Sequence, residues 1–409
     1  MKIRTIALAL VLAGCSGTDV TLEQTDTIAE NASNPTVEFG SDGTRYVAWV
    51  GEEDGVPAVL LASQQGDAFT APIRVNDIAG DAAPHEQAPA QIATGPDNAV
   101  YVVWQNQTPI DGRRFPASDL RFARSLDGGR TFEPTITIND DTASGVPSSH
   151  TFHDIVVAKD GAIYISWIDS RERDRFNAAT KSSHQGHSSA EMPGSEIRFA
   201  MSTDGGQTFS ASRVIDGDVC PCCRTTLAVG DDGSVYIAWR KVYDGDVRDI
   251  VVAKKEPGAT DFGAPMRVHE DGWVFPGCPH AGPALAVDHN GAVHVAWYTG
   301  VEERQGLWHA RADAATLTFT TPQPLLAGGW VPPSQVKLTT SGKDVWAVWD
   351  DRREEQPKLT IARVGSGVKP ITLDTPISGA SPAIAAAAER ILIGWLNGEQ
   401  VQATQVVVR

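Results

Sequence analysis

The residues with the most evident chemistry are cysteines and histidines that stand in three short motifs. The motifs are Cys220-Pro-Cys222-Cys223-Arg224, Cys278-Pro-His280 and Ser148-Ser149-His150-Thr-Phe-His153. Thiolate and imidazole groups are soft-to-borderline ligands, which suit Cu(I) or Zn(II). The sequence therefore predicts a copper or zinc site formed by the following residues: Cys220, Cys222, Cys223, Cys278, His280 and His150. A later stretch adds His184, His187 and Met192 as further soft ligands.

A phrase that ends in tryptophan is repeated along the chain and indicates the elements that must position these residues. Its copies end at Trp49, Trp104, Trp167, Trp239, Trp297, Trp349 and Trp395. Apolar residues alternate within the phrase, which is typical of a β-strand, and several copies begin with an Asp-Gly or Asn-Gly turn. A period of about fifty residues indicates a propeller or another repeat array.

The repeats predict an all-β fold without notable helices. Each repeat contains four apolar stretches, so we expect a seven-bladed β-propeller of four-stranded antiparallel blades, with six blades as the alternative. The last repeat ends after its third strand, and Val20–Ala29 resembles the fourth strands of the other repeats. We therefore expect the N-terminal strand to complete the last blade, and residues 26–409 to form one propeller.

Alignment of the repeats by their tryptophans places the motif residues at equivalent positions. Nineteen residues before a tryptophan lie His85, Ser148, Cys220 and Cys278, and seventeen before lie Gln87, His150, Cys222 and His280. These positions precede the first strand of four consecutive repeats. Because the first strands of a propeller line its central channel, we expect these side chains to converge at the channel mouth.

The N-terminus has the features of an export signal. Two basic residues precede an apolar run that is too short for a permanent membrane span and ends at Cys15. The sequence around Cys15 resembles a bacterial lipobox, which implies a signal peptide at residues 1–14, an acylated Cys15 and a tether at residues 15–25. Ser16 implies an outer-membrane address, and the lipid would anchor the protein in the envelope.

Export leaves other interpretations of the cysteines open. Four cysteines follow Cys15, and oxidising compartments favour disulfides over free thiols. A Cys220–Cys278 disulfide would join two neighbouring repeats, and Cys222 and Cys223 would form a vicinal bridge or pair with each other's neighbours. Structural disulfides, a metal site and redox-active thiols are thus three separate hypotheses. The net charge of −17 over 409 residues disfavours nucleic-acid binding, and we expect a monomer.

Two segments resemble the Asp-box, S-x-D-x-G-x-T-F, of sialidases and related BNR-repeat proteins. Its positions are occupied by Ser125, Asp127, Gly129, Thr131 and Phe132, and again by Ser202, Asp204, Gly206, Thr208 and Phe209. The resemblance implies a sialidase-like propeller in which these residues are structural and lie opposite the active site. It does not by itself imply sialidase activity.

Sialidases also use three arginines, a tyrosine nucleophile and an aspartic acid. If this chemistry carries over, Tyr298 or Tyr243 would be the nucleophile, Asp169 the acid, and Arg171, Arg240 and Arg352 the clamp for an anionic sugar. The sequence lacks the Arg-Ile-Pro element common in sialidases. Three functions therefore remain open: an envelope lipoprotein that binds a glycan or a metal, an exo-glycosidase of sialidase type, and an assembly scaffold stapled by disulfides.

Overall fold

In the computed structural model, the described residues are 20–64, 66, 68–180, 192–341, 343–365, 367–371 and 376–408. They form thirty β-strands, one α-helix and three short 3₁₀ helices, so the fold is all-β as predicted. The predicted signal peptide, Cys15, His184 and His187 lie outside the described residues. No helix in the described part of the chain is long and apolar enough to cross a membrane.

The strands form consecutive four-stranded antiparallel units. The first unit contains β3 (Thr36–Phe39), β4 (Arg45–Glu53), β5 (Val56–Gln64) and β6 (Ile73–Arg74). The second contains β7 (Gln91–Thr94), β8 (Val100–Gln105), β9 (Leu120–Ser125) and β10 (Ile136–Thr137). The third contains β11 (His150–Val157), β12 (Ile163–Asp169), β13 (Ser195–Ser202) and β14 (Arg213–Val219). The next two contain β15 (Thr226–Val229), β16 (Val235–Tyr243), β17 (Val247–Lys255), β18 (Met266–Arg267); and β19 (Ala284–Val287), β20 (Val293–Thr299), β21 (Gly306–Ala312), β22 (Gln323–Ala327).

The remaining strands form two more units, and one of them combines both ends of the described chain. They are β23 (Val336–Ser341), β24 (Asp344–Asp351), β25 (Lys358–Val364), β26 (Lys369–Ile371), β27 (Ile377–Ser378); and β28 (Ala380–Ala387), β29 (Arg390–Asn397), β30 (Gln400–Val408), with β1 (Val20–Leu22) and β2 (Asp26–Ala29). Both β1 and β2 pair antiparallel with β30. The first strand of each unit contacts the first strand of the next, and β28 contacts β3.

The tryptophan phrase forms the second strand of each unit, and all seven of its tryptophans are buried. The core lies between consecutive units. In one buried cluster, for example, Tyr101 and Val103 of β8 pack with Ile163 and Trp167 of β12. Both faces of the phrase are therefore covered, because each unit packs against a neighbour on either side.

The predicted hairpin turns are confirmed by the backbone conformation. Gly161 and Gly233 have φ angles of 85° and 83°, in the left-handed region that glycine adopts without steric cost. In each turn the glycine N–H donates to a carbonyl three residues earlier, which closes the turn before the second strand begins.

The Asp-box residues form two equivalent turns with the predicted structural role. In the first, Ser125 Oγ donates to Asp127 at 2.7 Å and accepts from the Gly129 N–H at 2.9 Å. Asp127 also accepts from the N–H and hydroxyl of Thr131. The second box repeats these bonds, and Gly206 is required there because a Cβ would lie 2.8 Å from the Phe122 ring.

One helix, α1 (Arg171–Thr180), differs from the sequence-based expectation. It follows β12 and is mostly polar, so no apolar periodicity signalled it. Glu172 and Asp174 lie in its first turn, where carboxylates stabilise the positive end of the helix dipole. Arg171, Arg173 and Asp174 are buried rather than exposed to solvent.

Three 3₁₀ helices lie in connecting loops. They span Pro96–Asn98, Thr142–Ser144 and Glu302–Arg304.

Candidate metal centre at a cysteine and histidine cluster

Three cysteines converge where the third unit meets the fourth. The last residue of β14, Val219, pairs with Lys241 of β16 in the fourth unit. The next residue extends this pairing, because the Cys220 N–H donates to Arg240 O. The chain then turns through Cys222 and Cys223 before β15 begins. The Cys220 sulfur lies 3.2 Å from Cys223 Sγ and 3.6 Å from Cys222 Sγ. We call Cys220, Cys222 and Cys223 the inner triad.

A second group shares one of these sulfurs. Cys278 and His280 lie in the loop before β19, and their ligand atoms and Cys222 Sγ are all within 4.8 Å of one another. We call Cys222, Cys278 and His280 the outer triad. The inner triad is buried, with side chains 1–4% exposed, whereas Cys278 and His280 are exposed. The structure thus brings together five of the six residues predicted to ligate a metal.

The two motifs are held together by Arg224, which ends the first motif, and by Gly282, which lies two residues after the second. Arg224 is buried and donates to Gln335 Oε1 at 2.6 Å and to Val336 O at 2.8 Å. A Cβ on Gly282 would lie 2.5 Å from Arg224 Cγ and 2.6 Å from its carbonyl oxygen, so only glycine fits. Gln335 Nε2 in turn donates to His280 O. This packing fixes the outer loop against the inner triad.

Two buried arginines supply positive charge beside the inner triad. Arg248 is 0% exposed, and its Nη1 donates to Cys220 Sγ at 3.1 Å. Arg240 is 1% exposed and donates to the backbone carbonyls of Ala281, Tyr298 and Arg248 rather than to a carboxylate. A guanidinium near a thiol favours the thiolate, which is the form that binds metals.

The ionisation of the thiols follows from burial and from these neighbours. Burial raises the pKa of Cys220 to about 12. Burial also opposes ionisation of Cys223, but hydrogen bonds from the other two thiols of the inner triad and the charge of Arg240 lower its pKa well below the usual value. A hydrogen bond with Cys222 lowers the pKa of Cys278 to about 7. Each triad therefore holds one thiol that releases its proton readily.

No sulfur–sulfur bond joins the described cysteines in the structure, and their arrangement differs from the disulfides considered above. Cys278 approaches Cys222, not Cys220 with which the repeat alignment paired it. The shortest sulfur–sulfur distance that the structure gives is 3.2 Å, between Cys220 and Cys223, whereas a disulfide bond measures about 2.05 Å. Three sulfurs and an imidazole at such spacing are a soft ligand set.

His150 does not join the cluster, so this predicted ligand is misplaced. Its Nδ1 bonds to Ser118 O at 2.7 Å, and its Nε2 lies 3.0 Å from Asp141. The reason is a register difference between repeats. His150 is already the first residue of β11, which has an irregularity near Phe152 at φ 56°, whereas Cys222 and His280 precede their strands. His85 lies closer, with its ring centroid 6.1 Å from that of His280.

The residues predicted for sialidase chemistry are engaged in separate contacts. Arg171 bonds to Asp169 and Asp140, and Arg352 bonds to Glu86 and Asp350. These partners are not shared with each other or with Arg240, which donates to backbone carbonyls.

The two tyrosines considered as nucleophiles are also occupied. Tyr298 is 2% exposed, and its hydroxyl donates to Val331 O at 2.8 Å. The Arg267 guanidinium stacks over the ring of Tyr243 at 3.9 Å. The Tyr298 hydroxyl is thus held in a hydrogen bond, and the Tyr243 ring is covered by a guanidinium group. Met192, the last of the soft ligands named from the sequence, is buried.

Comparisons with known proteins give a structural likeness only. No family model and no curated protein sequence matches the chain. An ulvan lyase solved with bound -[GlcA(1-4)Rha3S]- superposes with a TM-score of 0.60 at 10% identity, over 93% of this chain and 95% of its own. A protein of unknown function from Dyadobacter fermentans gives 0.54 at 13% identity, over 96% and 100%.

A Hadza microbial sialidase superposes with a TM-score of 0.50 at 11% identity, over 85% of this chain and 73% of its own. The fold is therefore that of a sialidase-like β-propeller, as the Asp-boxes predicted. At these identities the likeness carries the fold and leaves the chemistry to the residues of this chain.

Proposed function

We propose that this protein is a metal-binding propeller protein that holds a soft metal ion at the junction of its inner and outer triads. The observation that carries the proposal is the convergence of four sulfurs and one imidazole from two separate loops. Buried polar groups need partners. A cation held by thiolates would supply one for this cluster of thiols, and the two buried guanidinium groups beside it favour the thiolate form. Copper and zinc are the ions that such ligands favour.

We infer that the fold is a seven-bladed propeller in which the N-terminal strands complete the last blade. Seven copies of the tryptophan phrase, each in the second strand of a unit, support this count. The pairing of β1 and β2 with β30, and the contact of β28 with β3, support closure between the chain ends. The triads then lie where first strands begin, at one mouth of the channel.

We further propose that the protein acts in the cell envelope as a lipoprotein. The basic residues, apolar run and lipobox-like sequence before Cys15 support this assignment. An envelope location would expose the outer triad to metal ions or metal carriers outside the cytoplasm. Labelling with a radioactive fatty acid, with Cys15→Ser as the matched control, tests the lipid anchor.

The metal assignment is tested by reconstitution of the reduced, anchor-free protein with Cu(I) or Zn(II) without oxygen, followed by gel filtration and metal analysis. We expect near-stoichiometric metal in the wild type and less than a tenth of it in the Cys222→Ser, His280→Ala double variant. His289→Ala is the matched control, because this exposed histidine pairs with Asp231 outside the cluster. Metal retention by the folded double variant would contradict the proposal.

A glycan ligand is the second candidate, because solved structures with this fold include polysaccharide lyases and sialidases. Arg352 would bind an acidic group of such a glycan, because its side chain is 24% exposed. It lies beside Glu86 and Asp350. Release of 4-methylumbelliferone from a sialoside, or cleavage of an acidic polysaccharide, tests this candidate. Loss of such activity in Arg352→Ala, with metal content unchanged, would support it. Among the described residues, no contact specifically favours the scaffold hypothesis.

A further inference from the structure

The two triads share the sulfur of Cys222 and differ in their exposure to solvent. Cys220 and Cys223 are each 1% exposed and Cys222 is 4% exposed. Cys278 and His280 are exposed and belong to a loop whose backbone at His280 has a φ of 49°. An ion that arrives from solvent therefore meets the outer triad first, and Cys222 is the only sulfur common to both triads among the described residues.

The charges around the inner triad favour a monovalent ion. Three thiolates carry three negative charges, and Arg224, Arg240 and Arg248 contribute three positive charges at 3%, 1% and 0% exposure. A monovalent cation therefore adds one uncompensated positive charge to this buried site and a divalent cation adds two, which is more costly. Asp246 lies 3.7 Å from Arg248, but its side chain is 39% exposed and is screened by water.

We propose that the cluster is a two-position relay for Cu(I), in which the outer triad receives the ion and the inner triad retains it. This inference rests on the metal-binding function proposed above. Thiolates select Cu(I), and a three-sulfur environment suits its low coordination number. The outer triad, in which Cys278 and His280 are exposed to solvent, can exchange ligands with an incoming copper carrier.

The transfer step leaves the oxidation state of copper unchanged. The bond between Cu(I) and Cys222 Sγ is retained, while the bonds to Cys278 and His280 break. New bonds form to the Cys220 sulfur and to the Cys223 thiolate, and the proton of Cys220 is taken up by the Cys278 thiolate that the ion has released. The imidazole of His280 becomes free to accept hydrogen bonds from water.

The relay is tested with reduced, full-length mature protein, Cu(I) and the chelator bicinchoninate under argon. Cys278→Ser removes the outer triad and Cys223→Ser removes the inner one, while each leaves Cys222 in place. We expect Cys278→Ser to hold Cu(I) at the same chelator concentration as the wild type but to load at least ten-fold more slowly. Cys223→Ser should load at the wild-type rate and lose Cu(I) to the chelator at least ten-fold more readily.

A second measurement needs no variant. In wild-type protein loaded with one equivalent of Cu(I), Cys278 should still react with iodoacetamide while the inner thiols are protected. Protection of Cys278 at one equivalent, or identical loading and retention in the two variants, would overturn the relay. Equal retention of Zn(II) and Cu(I) by Cys278→Ser would overturn the charge argument. If the wild type binds no Cu(I) or Zn(II), the proposed function fails as well, whereas binding without these differences refutes the relay alone.

Discussion

Arg248 Nη1 lies 3.1 Å from Cys220 Sγ, and both residues are buried, although Cys220 lies in the turn after β14 and Arg248 lies in β17 of the next unit. Arg248 also donates to Phe275 O, in the loop that leads to Cys278. One guanidinium group therefore links the inner triad with the segment that carries the outer triad. Its charge stabilises thiolates where solvent cannot.

Replacement of Arg248 by methionine should weaken metal binding. Hydrogen bonds to charged groups contribute about 1.5–3 kcal/mol, so we expect Cu(I) affinity to fall roughly ten- to hundred-fold. Arg248→Lys, which keeps the charge, should recover part of the loss. Competition with bicinchoninate measures the affinity, and Arg213→Met is the matched control because its ion pair with Asp261 is half exposed. Unchanged affinity in a folded Arg248→Met variant would refute this role.

His150 and His280 provide a paired test of the site's boundaries. Since His150 bonds to Ser118 and Asp141 away from the sulfurs, His150→Asn should keep the metal content of the wild type. It should lower the melting temperature, because the loss of buried hydrogen bonds costs about 1–3 kcal/mol. His280→Asn should show the opposite pattern, with weaker metal retention and little change in stability. The reverse result for the two variants would place the metal site at His150.

The fold could be predicted from the sequence because its determinants are local and repeated. The phrase ending at Trp167 specifies a strand by alternation, and Gly161 specifies its turn, without reference to distant residues. The site was predicted only in part. The repeat alignment brought Cys220, Cys222 and Cys278 together, since equivalent positions in a repeat protein occupy equivalent places.

The same alignment failed where the repeats differ in register. His150 already lies in β11, so the equivalence of its position to Cys222 does not extend to its surroundings. The sequence also offered Arg240 as a substrate clamp, whereas the structure buries it among carbonyl groups beside the thiols. Arg248 was missed, because no spacing rule connects a residue of β17 with a turn 28 positions earlier. Such tertiary contacts leave no periodic signal.

The Asp-box serine should be important for stability. Ser125 is 0% exposed, and its Oγ is the acceptor for the buried Gly129 N–H. Ser125→Ala leaves this donor unsatisfied, so we expect a loss of about 1–3 kcal/mol in the free energy of unfolding by urea. Ser144→Ala, at an exposed site, is the control. Equal stability of the two variants would show that the serine hydroxyl is dispensable for the turn.

The histidine pair in the fifth unit should make the protein acid-sensitive. Burial, together with the charges of His294 and Arg311, lowers the pKa of His309 to about 3. Its unfolded-state pKa is near 6.5, so the unfolded chain binds the proton more readily, and stability falls as the pH drops from about 6.5 towards 3. The slope approaches about 1.4 kcal/mol per pH unit for this one group.

We therefore expect His309→Gln to flatten the pH dependence of stability between pH 6 and about 4. Urea unfolding at several pH values measures the slope, and His289→Gln, on the surface beside Asp231, is the control. A slope in His309→Gln as steep as that of the wild type would contradict the assignment.

The central claim is that the cysteines bind a metal ion, and the most direct test is a thiol count with metal analysis on one sample. The protein should be purified from the periplasm without reductant, with Cys15 replaced so that no anchor forms. We predict four titratable thiols after metal removal and denaturation, and about one equivalent of bound metal before it. No free thiols and no metal would contradict the account, since the four cysteines would then be paired as disulfides.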